Sequence, residues 1–123
     1  MSKIREVTPP AALSLIQKGA LLVDVREPYE IAGKSFDVPD IMLIPVREIE
    51  KRYKEIPANR QVIIACRSGN RSLMALRILT SHGYKKAVSM QTGISGWSRA
   101  GLPIKQKQKQ PPFAWLLRLF GRG

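Results

Sequence analysis

The stretch Gln61-Val62-Ile63-Ile64-Ala65-Cys66-Arg67-Ser68-Gly69-Asn70-Arg71-Ser72 decides how this 123-residue chain is read. An apolar run of strand length ends at a thiol, and a short polar loop holding one glycine follows. From Ser72 to His82 the apolar residues Leu73, Ala75, Leu76, Ile78 and Leu79 recur at helical rather than alternating spacing. The segment therefore predicts strand, tight loop and helix, with the thiol where the strand stops. Backbone N–H groups of such a loop, with the positive end of the helix behind them, converge on whatever its first residue carries. Arg67 and Arg71 add formal positive charge. A thiol so placed ionises more readily than free cysteine, and the thiolate is the reactive form.

The flanking sequence repeats the same alternation. Thr8-Pro9-Pro10 reads as a helix start, with Thr8 as cap, and the helix runs to Gly19. Leu21 to Val25 is a short strand. A second helix starts at Pro28 and reaches Gly33, and residues 34–40 are expected to be a polar loop. Ile41 to Ile44 reads as a strand closed by Pro45, and Arg47 to Tyr53 as a short charged helix. Gly83 stops the helix behind the cysteine loop, where His82 is a basic cap or surface residue. Ala87 to Met90 gives another strand, and Gly93 to Ser98 a turn into a short helix carrying Trp97, expected in the core. Apolar strands alternating with helices argue for an α/β fold with a mainly parallel sheet covered on both faces. Such sheets place their sites beyond the C-terminal ends of strands, where Cys66 falls.

Composition narrows the chemistry. A single cysteine excludes an intramolecular disulfide, a CxxC redox pair and a cysteine-rich zinc site, so neither a metal nor a cofactor is expected. It also leaves no resolving thiol, so a covalent intermediate on Cys66 must be discharged by an outside molecule. The start lacks the apolar core of a secretory signal and no apolar run approaches spanning length, which makes a reduced, cytoplasmic setting the expectation. Net charge is +12; residues 105–123 hold Lys105, Lys107, Lys109, Arg118 and Arg122 and no acid. Such a balance favours anionic partners.

Three blocks resemble the rhodanese-like family over residues 3–104. Leu22-Val23-Asp24-Val25-Arg26-Glu27-Pro28 is similar to its early Asp-Val-Arg block, and Cys66 to Ser72 to its active-site loop. Gly93-Ile94-Ser95-Gly96-Trp97 with Gly101-Leu102-Pro103 resembles its closing glycine-tryptophan and Gly-x-Pro elements. The resemblance implies one domain, a mainly parallel five-stranded sheet flanked by helices, and a sulfurtransferase. Cys66 would take a sulfane sulfur from a small-molecule or protein persulfide donor and pass it to cyanide or an external thiol. Arg67, Ser68, Gly69, Asn70, Arg71 and Ser72 would form the binding loop, Ser72 capping the helix, with Asp24 and Arg26 as structural support. There are departures: Gly33-Lys34-Ser35-Phe36-Asp37-Val38-Pro39-Asp40 replaces the family's shorter Gly-His-Ile-Pro-Gly-Ala stretch, and Thr92 stands where a glycine is usual. Phosphatases on a related sheet use Cys-x5-Arg; here the arginine comes one position early, at Arg71, which suits a smaller sulfur site.

Other readings compete. Cys66 as an inert buried thiol is the bland one; a non-catalytic adaptor or persulfide carrier recruited through its tail is the more serious. The domain is expected over 1–104, a basic linker over 105–112 and a short amphipathic tail over 113–123. On a helix Phe113, Leu116, Leu117 and Phe120 share one face, suited to an anionic membrane surface or a protein partner. Peripheral membrane attachment is thus part of the expectation. Sulfur relay to nucleic acid is disfavoured, since no aromatic-studded RNA-binding motif accompanies the charge.

Overall fold

The computed structural model describes residues 5–106. In chain order the elements are β1 (Glu6–Val7), α1 (Pro9–Gln17), β2 (Leu21–Asp24), α2 (Pro28–Gly33), β3 (Lys34–Phe36) and β4 (Ile41–Leu43). After a helical segment centred on α3 (Ile49–Arg52) come β5 (Val62–Ala65), α4 (Asn70–Ser81), β6 (Ala87–Met90), α5 (Gly93–Arg99) and β7 (Ile104–Gln106). Five strands form one parallel sheet in the order β1-β6-β5-β2-β4, so β5, the strand that leads into Cys66, is central.

Burial on both faces follows from the unbroken apolar runs of β2 and β5. Leu21, Val23, Val62 and Ile64 point to one side, against Ile49 of α3 and Ala75, Leu76 and Leu79 of α4. Leu22, Ile63 and Ala65 point to the other, against Ala12 and Ile16 of α1 and Ile94 and Trp97 of α5. Trp97 is fully buried, meets the Phe36 ring edge-on at 5.2 Å, and donates its indole N–H to the Pro103 carbonyl at 2.7 Å. His82 caps the end of α4, stacked on Tyr53 and paired with Glu50.

Three sequence expectations change. The stretch 34–40 is not all loop, because Lys34, Ser35 and Phe36 form β3, antiparallel to β7. That pairing assigns Lys105 and Gln106 to the folded domain, although their composition matches the linker expected over 105–112. Finally, α4 starts two residues early, at Asn70 behind Gly69, whose φ of 111° is open to glycine at little cost. Among the described residues no helix is long and apolar enough to cross a membrane. The tail at 113–123 lies outside them.

Candidate active site

The register puts Asp24 beside Ala65 at the upper ends of β2 and β5, so the next residue, Cys66, emerges at the centre of the sheet's C-terminal edge. From there the chain must turn sharply into α4, and the turn folds around the sulfur. Gly69 N–H donates to Cys66 Sγ at 3.1 Å and Ser72 N–H at 3.4 Å, while Ser72 Oγ lies 3.6 Å away. The cysteine is buried, and burial pushes its thiol up. The Ser72 hydroxyl and the N–H groups of Ser72, Gly69 and Ser68 outweigh this and hold it below the ordinary thiol value.

Ser72 does not cap α4. It sits in the first turn, fully buried, with its hydroxyl turned inward, 3.0 Å from the Gly69 carbonyl and 2.7 Å from Ser89 Oγ. The hydroxyl owns a single proton. While Cys66 is protonated, its S–H faces Ser72 Oγ and Ser72 donates to the carbonyl. For the ionised sulfur the Ser72 proton serves Sγ instead, and in both states the Ser89 hydroxyl donates to the Ser72 oxygen. Sequence reasoning missed Ser89; its one signal was a hydroxyl inside the apolar strand Ala87-Val88-Ser89-Met90.

The two arginines of the loop part company. Arg71 forms a two-pronged pair with Glu30, at 2.7 and 2.8 Å, which holds the Glu30 carboxyl down at about 2. Glu30 also accepts the Glu27 N–H at 2.9 Å, so it fixes the start of α2 against the loop. Arg67 is exposed and, among the described residues, makes no ion pair. Ser68 and Asn70 are exposed on the outer rim, while Gly69 is buried. Asp24 and Arg26 form a fully buried pair: Nε and Nη2 of Arg26 meet the two carboxylate oxygens at 3.0 and 2.7 Å, and the Arg26 N–H donates to Oδ1 at 3.0 Å. The pair ties β2 to the chain entering α2.

The other side of the loop is closed by α5. Ile94 N–H donates to the Cys66 carbonyl at 2.8 Å and Ser95 N–H to the Arg67 carbonyl at 3.1 Å. Only glycine fits at 93, since a Cβ there would come within 2.2 Å of the Cys66 oxygen. Thr92, where a glycine was expected, adopts φ 60°. Its side chain occupies the space that Gly96, lacking a Cβ, leaves open. Among the described residues no group of His, Cys, Asp and Glu is placed to hold a metal ion.

Comparison with known proteins gives one consistent result. The family model described as the rhodanese-like domain matches residues 8–100. A sulfurtransferase of Allochromatium vinosum is 45% identical over 84 residues, covering 68% of this chain and 77% of that one. The thiosulfate sulfurtransferase GlpE of Haemophilus influenzae is 32% identical over 101 residues, covering 81% and 93%. Among solved structures, a rhodanese-related protein from Thermoplasma volcanium superposes with a TM-score of 0.73 at 29% identity, over 82% of this chain and 97% of that one.

Proposed function

The chain belongs to the rhodanese-like family of sulfur-transferring domains, and on that premise we propose that it carries a sulfane sulfur from a thiosulfate-type donor to an external acceptor as a Cys66 persulfide. The observation that carries the reading is the set of N–H and O–H donors gathered on one buried sulfur at the end of the central strand. They favour the thiolate, which attacks the outer sulfur of thiosulfate. A sulfur–sulfur bond forms at Cys66, the donor's own sulfur–sulfur bond breaks, and sulfite departs with the electron pair. Arg67, exposed and without an acid partner among the described residues, attracts the dianion and steadies the leaving sulfite.

In the second half, cyanide attacks the outer sulfur of the persulfide and leaves as thiocyanate, returning the electron pair to Sγ; a thiol acceptor reacts in the same sense. The same donors that hold the thiolate serve the anionic persulfide and the thiolate leaving group, so the loop lowers the barrier of both halves. With one cysteine in the chain, no internal thiol can intercept the sulfur.

Mass measurement after exposure to thiosulfate tests the reading. The intact chain is expected to gain one sulfur atom and lose it to cyanide with release of thiocyanate; Cys66→Ser does neither. Absence of a sulfur-loaded form with thiosulfate and with organic persulfides would refute the enzyme reading in favour of an adaptor.

A further inference from the structure

A cleft of about 300 Å³ opens beside the cysteine loop, lined by Arg26, Glu30, Lys34, Arg67, Ile94 and Ser95. It adjoins the loop directly, because Ile94 and Ser95 are the residues whose N–H groups bind the Cys66 and Arg67 carbonyls. Four of its six residues carry formal charge, and two of those charges are spent. Arg26 is neutralised by Asp24 in the buried pair, and both Glu30 carboxylate oxygens accept from Arg71. Lys34 and Arg67 remain.

Among the described residues no acidic side chain pairs with either. All nine Asp and Glu side chains fall between Glu6 and Glu55, so the residues outside the described stretch contribute none. Seven are committed to ion pairs: Asp24 to Arg26, Glu27 and Glu48 to Arg47, Glu30 to Arg71, Asp37 to Lys105, Asp40 to Arg60 and Glu55 to Arg52; an eighth, Glu50, is held by His82. The ninth, Glu6, lies on β1 and does not line the cleft. The cleft thus presents two unpaired cations, one of them on the loop that holds the sulfur.

We propose that this cleft is a subsite for the anionic end of a small organic thiol, or of its persulfide, with Lys34 and Arg67 as the residues that recognise a carboxylate or sulfonate. This rests on the Cys66 persulfide reading and names its substrate class. Size supports an organic frame. At about 30 Å³ per water-sized group the cleft holds roughly ten such groups, more than a bare sulfonate needs, enough for a short carbon chain between acid and sulfur. The transfer balances. The substrate thiol gives its proton to the anionic Cys66 persulfide and its thiolate attacks the outer sulfur; a new sulfur–sulfur bond forms on the substrate, and the bond to Sγ breaks with its electron pair left on Cys66. The proton stays on the transferred sulfur, and the reverse step makes the persulfide a donor. Lys34 is the specificity-determining member, since Arg67 also serves the loop.

Two measurements on the full chain test this. First, the protein is loaded with sulfur from thiosulfate and discharged by 2-mercaptoethanesulfonate or by 2-mercaptoethanol, which differ in charge. Lys34→Glu is expected to lower the sulfonate-over-alcohol ratio of discharge rates by about tenfold, while Lys85→Glu, before the start of β6 at the opposite end of the sheet, keeps it within about twofold. An unchanged ratio in Lys34→Glu, or an equal fall in Lys85→Glu, overturns the proposal; the latter makes net charge the cause. Second, ethanesulfonate, which has no thiol, is titrated against labelled protein by NMR. Shifts confined to Lys34, Arg67 and Ser95 amides and lost in Lys34→Glu support the subsite; no such shifts refute it. Loading that fails while ethanesulfonate still binds sinks the persulfide reading and not the anion site.

Discussion

Replacing Gly93 by alanine tests how tightly the fold and the active loop are joined. The added methyl carbon would lie 2.2 Å from the Cys66 oxygen and 2.6 and 2.7 Å from the Arg67 carbonyl carbon and oxygen. Ordinary contact begins near 3.4 Å, so α5 and the loop must separate by about 1 Å. All three obstacles are backbone atoms, and no side-chain rotation relieves them. Separation stretches the Ile94 and Ser95 hydrogen bonds to the loop, each worth about 1 kcal/mol. Overpacking costs about 1–3 kcal/mol more, and a Cβ at φ 52° about 1 kcal/mol. The expected loss is about 4–6 kcal/mol, a large share of the roughly 5–15 kcal/mol that holds a domain folded. A loop displaced by about 1 Å also loses about 100-fold in sulfur-transfer rate in whatever fraction stays folded. Urea unfolding and single-turnover persulfide discharge measure the two effects. Gly33→Ala, at the end of α2 with nothing within 4 Å of the new methyl, should change stability by less than about 1 kcal/mol. A Gly93→Ala protein within about 1 kcal/mol of wild type and fully active would refute the close-approach argument.

Removing Asp24 as Asp24→Asn leaves the Arg26 guanidinium buried without its counter-charge, at an expected cost of about 3–5 kcal/mol; the double variant Asp24→Asn/Arg26→Met should recover part of that loss in urea titrations, and an additive loss would count against a coupled pair. Thr92→Gly relieves a β-branched residue at φ 60°, for an expected gain of about 0.5–1 kcal/mol and a raised melting temperature. The rate of Cys66 alkylation by iodoacetamide should rise with pH around a midpoint below the ordinary thiol value, and Ser72→Ala should move that midpoint upward. Because folding lowers this group, its contribution to stability is complete above the unfolded thiol's value, about 8.5, and is lost as pH falls through the folded value. A midpoint indifferent to Ser72→Ala would show that the hydroxyl does not reach the sulfur.

The sequence by itself determined the class of fold, because an apolar run of four or five residues can be buried on both faces only in a covered parallel sheet, and helical spacing between such runs supplies the cover. It also located the thiol, since a strand followed by a glycine-bearing polar loop and a helix leaves the first loop residue at the sheet's C-terminal edge. These are local facts, written in periods and turn residues. What the tertiary structure decided concerns groups that meet across long separations. The β3–β7 pair joins Lys34 to Gln106, and neither three-residue strand carries a pattern that announces the other. Arg71 looks in sequence like a second anion-binding cation until Glu30 arrives from α2 and occupies both prongs of its guanidinium. Ser72 looks like a helix cap until Ser89, on a neighbouring strand, turns its hydroxyl inward toward the sulfur. Charge in a sequence is a sum, and only packing shows which charges cancel; here it leaves Lys34 and Arg67 as the two uncancelled charges lining the cleft beside Cys66.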